Sequence, residues 1–143
     1  PGCPSKIVAG DYCAFDIRRD AKADLTATQE DAAQSGKNTL IVMGANWCHD
    51  SRALAGYFET PRFQSLISDN YQLVYIDVGQ KNRNIDIAQS FGLSGIVGTP
   101  TVVITDSDGK VLNLDTAPTW RNAASRTEDD IYEYFLEYAL TGE

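Results

Sequence analysis

Residues 43–54 read MGANWCHDSRAL, and the periodicity of the chain changes inside this stretch. Upstream, NTLIVMGA (38–45) is a short continuous apolar run rich in β-branched residues, which predicts a buried strand. Downstream, CHDSRALAGYF (48–58) carries Ala53, Leu54, Tyr57 and Phe58 at helical spacing. Cys48 therefore falls where a strand ends and a helix begins. The first turn of a helix presents unpaired N–H groups and the positive end of the dipole, and both favour a thiolate. A protonated His49 would add to that effect and Asp50 would oppose it, so the sequence leaves the balance open.

The rest of the chain alternates in the same way. Asp24 to Gly36 (DLTATQEDAAQSG) reads as a helix stopping at Ser35-Gly36, and Pro61 opens a short helix with Phe63, Leu66 and Ile67 on one face. QLVYIDVG (72–79) is a second buried-type strand, and NIDIAQSFGL (84–93) a helical turn or two ending at Gly92. TPTVVITDSDGKVLNL (99–114) predicts an antiparallel hairpin turning at Ser107-Asp108-Gly109. Residues 113–126, with Pro118 and Trp120, read as a loop. TEDDIYEYFLEYAL (127–140) is an amphipathic helix with Thr127 as N-cap, acidic residues in its first turn, and Ile131, Tyr134, Phe135 and Tyr138 as a core-facing stripe. Helix, strand, helix, helix, strand, helix, hairpin, helix predicts a mixed sheet covered on both faces. Residues 1–22 show no period and read as an N-terminal extension to one domain over 23–143.

With 143 residues, 43% hydrophobic and 22% charged, the chain has the profile of an ordinary globular domain. A net charge of −8 disfavours nucleic acid and anionic membrane as partners. No apolar run approaches the roughly 18 residues of a membrane span. The chain opens Pro1-Gly2-Cys3 without an initiator Met, which suggests a trimmed form and an exported, periplasmic setting, with a cytoplasmic one as the alternative. Three cysteines fit one bridge, Cys3 to Cys13, plus the free thiol of Cys48; two free thiols in a loose tail is the competing reading. No metal is expected: Cys48, His49 and Asp50 are adjacent, which is not closed-site spacing, and the chain has no other histidine. Three consecutive residues also make a poor Cys-His-Asp hydrolase, and no Gly-rich phosphate loop is present.

ANWCHDS (45–51), followed about fifty residues later by GTPTVVI (98–104) and SDGKVL (107–112), resembles the thioredoxin superfamily over about residues 24–142. The resemblance implies a thioredoxin fold: an α/β domain with a mixed central sheet flanked by helices. It matches Trp47 and Cys48 to the family's tryptophan and nucleophilic cysteine, and Thr99-Pro100 to its cis-proline element. That element and Trp47 would form the rim on which a peptide docks, with the Thr99 backbone free to pair as a strand would. Two departures matter. Ser51 replaces the second cysteine of W-C-x-x-C, and Val42 stands six positions before Cys48, where many members bury an acid that serves the second thiol. The two losses agree, and together they read as a native monothiol site.

Serine cannot resolve a mixed disulfide, so the implied activity is thiol–disulfide exchange or isomerisation through Cys48, with His49 and Ser51 tuning the thiol. Partners would be client proteins bearing disulfides or thiols, or a redox partner protein. No cofactor is implied beyond glutathione as a co-substrate, and the chain is expected to act as a monomer. Cys3 or Cys13 could serve as a remote resolving thiol if the extension folded back over the site. The alternative is a non-catalytic peptide-binding or chaperone-like module. A peroxidase role lacks the Thr-x-x-Cys pattern expected of it.

Overall fold

The computed structural model describes Cys3 and residues 10–139. Helices α1 (Ala21–Ser35), α2 (His49–Phe58), α3 (Pro61–Asn70), α4 (Ile85–Ser90) and α5 (Glu128–Ala139) surround strands β1 (Asn38–Gly44), β2 (Tyr71–Asp77) and β3 (Thr101–Thr105). The sheet order is β2-β1-β3, with β1 parallel to β2 and antiparallel to β3. This is the mixed, two-faced α/β sheet of a thioredoxin fold. Leu140, the last residue of the expected C-terminal helix, lies outside the described residues, as do residues 1, 2 and 4–9 of the extension.

Strand alternation sorts the core into two clusters. Leu40 and Val42 of β1, with Val102 and Ile104 of β3, point to the side covered by α2, α3 and α5, where Phe58, Phe63, Trp120 and Phe135 pack. Ile41, Met43 and Val103 point the other way, against Leu25 of α1 and Ile87 of α4. Every residue of β1 is buried, which is why its sequence reads as a continuous apolar run rather than an alternating one.

Three expectations change. First, α1 starts at Ala21, earlier than Asp24, because Asp20 accepts a hydrogen bond from the Ala23 N–H and caps the helix. Second, the segment read as an extension is packed into the domain. Phe15 is fully buried on the α2 side of the sheet, edge-on to Tyr75 at 5.3 Å. The Tyr12 N–H donates to the Arg52 carbonyl, and the backbone of Gly10 lies so close to Gly56 that a Cβ there would come within 1.7 Å of the Gly10 oxygen. Only a glycine in α2 admits the arm at this crossing.

Third, the hairpin keeps its turn but not its second strand. Asp106 and Lys110 are paired, and Thr105 and Val111 make a single bridge. Beyond it a side chain stands in for backbone. Asn113, fully buried, accepts from the Ile104 N–H and donates to the Val102 carbonyl, both at 2.8 Å. The outer edge of β3 is thus satisfied without a fourth strand, and the chain turns away into the 3₁₀ segment Ala117–Ser125. Loop-like in sequence, that segment delivers Trp120 to the core, stacked on Phe135 at 5.1 Å.

Asn113→Ala should therefore cost about 3 kcal/mol, since it strands a buried donor and a buried acceptor at roughly 1–3 kcal/mol each. Urea unfolding would show it as a lowered midpoint at unchanged slope. A loss under about 0.5 kcal/mol, the range of ordinary surface changes, would contradict this role.

Candidate functional site

The site forms where β1 ends. After Gly44 the chain turns through Ala45 to Trp47, closed by the Cys48 N–H donating to the Ala45 carbonyl at 3.1 Å. Cys48 is then the N-cap residue of α2, in extended backbone, and its carbonyl accepts the first helical bond from the Arg52 N–H. The strand-to-helix junction read from residues 43–54 places the sulfur above the C-terminal end of the sheet.

β3 enters the same end from the opposite direction, so the residues before it face α2. The Thr99–Pro100 peptide is cis, and the Thr101 hydroxyl donates to the Gly98 carbonyl to hold the turn. Cys48 Sγ lies 3.4 Å from the Thr99 carbonyl oxygen and donates to it. Cys48 is 8% exposed and Thr99 4%, so both are buried. Trp47, 44% exposed, and Val97, 64% exposed, are large apolar side chains on the segments that lead into Cys48 and Thr99. The indole N–H of Trp47 donates to the Gly79 carbonyl at 2.7 Å. Gly79 sits in the left-handed region, and its N–H is held by the Asp77 carboxylate, which also binds Arg83 at 2.6 Å. The ring of Trp47 is thereby fixed by the loop after β2.

The remaining motif residues make contacts of their own. Ser51 is fully buried, and its hydroxyl accepts from the Ala45 N–H at 3.3 Å, beside Gly44 and the ring of Phe15. It meets the end of β1. Asp50, expected to oppose a thiolate, accepts from the Ala124 N–H at 2.8 Å and so ties α2 to the 3₁₀ segment. His49 is half exposed, with Nδ1 3.5 Å from Asp11 Oδ2. Val42 is fully buried in the apolar cluster beneath α2.

Sequence reasoning missed the group that anchors the loop before Cys48. Arg52, one turn into α2, is only 6% exposed. Its Nε donates to Asp11 at 3.2 Å and its Nη1 to the Asn46 carbonyl at 3.0 Å. Asn46 in turn pairs with Phe15 as a strand would, accepting from its N–H and donating to its carbonyl. Asp11 and Arg52 are 41 residues apart in the chain, and nothing local marks either as a partner of the other. Cys3 and Cys13 are paired with each other across the arm, with Cα atoms 5.9 Å apart, which leaves Cys48 as the free cysteine. Among the described residues no three His, Cys, Asp or Glu side chains group to hold a metal ion, and no helix is long and apolar enough to cross a membrane.

A thioredoxin-like family model matches residues 20–107. Among solved structures, a disulphide isomerase from Xylella fastidiosa Temecula1 is 32% identical, over 89% of this chain and 97% of that one, with a TM-score of 0.80. A thioredoxin-fold protein from Helicobacter pylori is 16% identical, over 84% of this chain and 98% of that one, with a TM-score of 0.44. No curated protein sequence matches this chain significantly.

Proposed function

The chain belongs to the thioredoxin-like family, and on that premise we propose that it catalyses thiol–disulfide exchange, including isomerisation, through Cys48 alone. What carries the reading is the meeting of Cys48 Sγ with the Thr99 carbonyl at 3.4 Å, beside a cis-proline and at the first turn of a helix. Its likeness to a disulphide isomerase supports the same chemistry.

In this mechanism the Cys48 thiolate attacks one sulfur of a client disulfide. A bond forms between the two sulfurs, and the client's other sulfur leaves as a thiolate. That thiolate, or another on the same client, then attacks the client sulfur bound to Cys48 and regenerates the Cys48 thiolate. No electrons are gained or lost overall, so no cofactor is required; glutathione would enter only as an alternative thiol. The client's backbone pairs at Thr99 while Trp47 and Val97 cover its side chains. The arm's own disulfide suits an oxidising compartment, and we place the protein in the periplasm or another exported setting.

The direct test is a scrambled-disulfide protein incubated without added dithiol. The native chain should restore its activity faster than buffer thiols do, and acid quenching should trap a Cys48–client adduct visible by mass. No acceleration and no adduct would leave only a binding module.

Ser51→Cys should convert the site toward net reduction. Cys48 is the N-cap of α2 and position 51 lies in the first turn of the helix, three residues on. The second sulfur would then resolve the adduct internally, giving a rise in insulin reduction driven by dithiothreitol and an oxidised form without a free thiol. If the variant keeps a free Cys48 after oxidation and gains no reductase activity, Ser51 does not occupy the resolving position.

A further inference from the structure

Arg121, exposed on the 3₁₀ segment, stands against the backbone that leads into the cis-proline. A Cβ at Gly98 would come within 2.7 Å of the Arg121 Cδ and 2.8 Å of its Cβ, so the aliphatic stem of the arginine lies directly on Gly98. We propose that Arg121 determines client specificity, pairing with an acidic side chain carried within a few residues of the cysteine under attack. The proposal rests on the exchange reading of Cys48 and adds the chemical class of its substrate.

Three observations lead to it. The first is position. Gly98 precedes Thr99, whose carbonyl meets Cys48 Sγ at 3.4 Å, and consecutive Cα atoms are only about 3.8 Å apart. The segment that carries Arg121 is also tied to α2, through the Ala124 N–H that donates to Asp50 at 2.8 Å. It therefore closes a third side of the site, and a client strand pairing at Thr99 runs past the arginine.

The second is charge. Arg18, Arg19, Arg52, Arg62 and Arg83 each meet a carboxylate, and Arg126 lies over the Trp120 ring at 3.8 Å. Arg121 donates to the Pro118 carbonyl at 3.1 Å and has no carboxylate partner among the described residues. The acid across from it, Asp50, meets a backbone N–H instead. In a chain of net charge −8, this leaves a guanidinium without a counter-charge beside the docking segment. The net charge repels an acidic client at long range, so a preference for one has to come from local contact.

The third is geometry. A guanidinium carries five N–H donors in a planar fork, and the Pro118 carbonyl occupies only part of it. The rest can take a carboxylate, in the two-pronged pairing that arginine favours. With the stem already laid on Gly98, less side-chain freedom is lost when that pair forms.

The test uses a peptide blocked at both ends, Gly-X-Gly-Cys-Gly-X-Gly, with X as Glu, Gln or Lys, so that either strand direction carries one X past Arg121. Its cysteine is supplied as the mixed disulfide with 2-thiopyridine. Attack by the Cys48 thiolate on the peptide sulfur forms the Cys48–peptide disulfide and releases 2-thiopyridone, followed by absorbance at pH 8. The neutral mixed disulfide of 2-mercaptoethanol and 2-thiopyridine is the reference. The assay is run at 0.15 M salt, where charges beyond about 8 Å are largely screened. The Glu-to-Gln rate ratio of the native protein should exceed that of Arg121→Gln by about 5-fold, the upper range for an exposed ion pair. Intrinsic differences between the peptides cancel in that comparison. Arg121→Glu should favour the Lys peptide, and Arg121→Lys should keep part of the Glu preference, because it keeps the charge without the fork.

Equal Glu-to-Gln ratios in the native protein and Arg121→Gln, with a brisk reference reaction, would overturn the specificity role and leave the exchange reading standing. Variants that slow the reference and every peptide by one common factor would show that the arginine only packs on Gly98, and would overturn it as well. A loss confined to the mixed disulfide of glutathione and 2-thiopyridine, run alongside, would assign Arg121 to that small thiol and overturn the client reading. Failure of the reference disulfide to react with the native protein would overturn the exchange reading, and this proposal with it.

Discussion

Cys48→Ser should abolish disulfide exchange while leaving the fold almost untouched. The loss is complete in kind, because an oxygen cannot take the place of the attacking sulfur in a disulfide, and Ser51 shows that no second thiol waits in the motif. Cys3 and Cys13 are engaged with each other and cannot substitute. Native alkylation without reductant should accordingly label one cysteine in the parent chain and none in the variant. The structural cost should stay within about 1 kcal/mol, since the serine hydroxyl can still donate to the Thr99 carbonyl that Cys48 Sγ now meets. Restoration of a scrambled-disulfide client should drop to the rate in buffer. Retained isomerisation in this variant would sink the assignment of Cys48, and a loss of stability of several kcal/mol would mean that its thiol is part of the packing.

The largest effect on stability should come from a residue far from the sequence motif. Asp11→Asn removes the carboxylate that the Arg52 guanidinium meets at 3.2 Å, in a place where the two side chains are 5% and 7% exposed. An exposed pair of this kind contributes at most about 1 kcal/mol. Here a charge would be left buried without its counter-charge, which costs about 3–5 kcal/mol, a large share of the 5–15 kcal/mol that holds a typical domain together. The Arg52 bond to the Asn46 carbonyl would be strained as the guanidinium seeks water, loosening the loop before Cys48. Denaturant unfolding measures the loss, and limited proteolysis should cut the arm near residue 12 more readily. The double variant Asp11→Asn with Arg52→Met should recover part of the stability, because it removes the stranded charge as well. A single-variant loss below about 1 kcal/mol would show that Arg52 is hydrated after all.

These two predictions differ in how visible their residues are in the sequence. Cys48 is marked by its own neighbourhood: an apolar run on one side, helical spacing on the other, and a tryptophan and a histidine at its flanks. Thr99-Pro100 is marked by its place before a β-branched strand. Period-two and period-3.6 patterns report burial on the chain's own elements, so both strands of the parallel unit, β3, and the helices could be read from them. Asp11 sits in a stretch without any period. Its meaning comes from Arg52, and that partnership exists only once the arm crosses α2 at Gly56. The same holds for Asn113, whose amide replaces a strand that the sequence led one to expect. It holds also for Trp120, whose segment looked like a loop because its burial comes from contacts with distant elements.

By itself the sequence determined the order of the five helices and three strands, the two faces of the sheet, and a single sulfur placed at a strand-to-helix junction. Each of these follows from local periodicity and from the chemistry of one residue type at one position. The tertiary structure decided what surrounds that sulfur. It set the Thr99 carbonyl 3.4 Å from Cys48, turned Ser51 toward the end of β1, and folded the N-terminal arm into a wall of a cavity beside His49. Those placements depend on contacts between residues dozens of positions apart, and a local pattern carries no record of them.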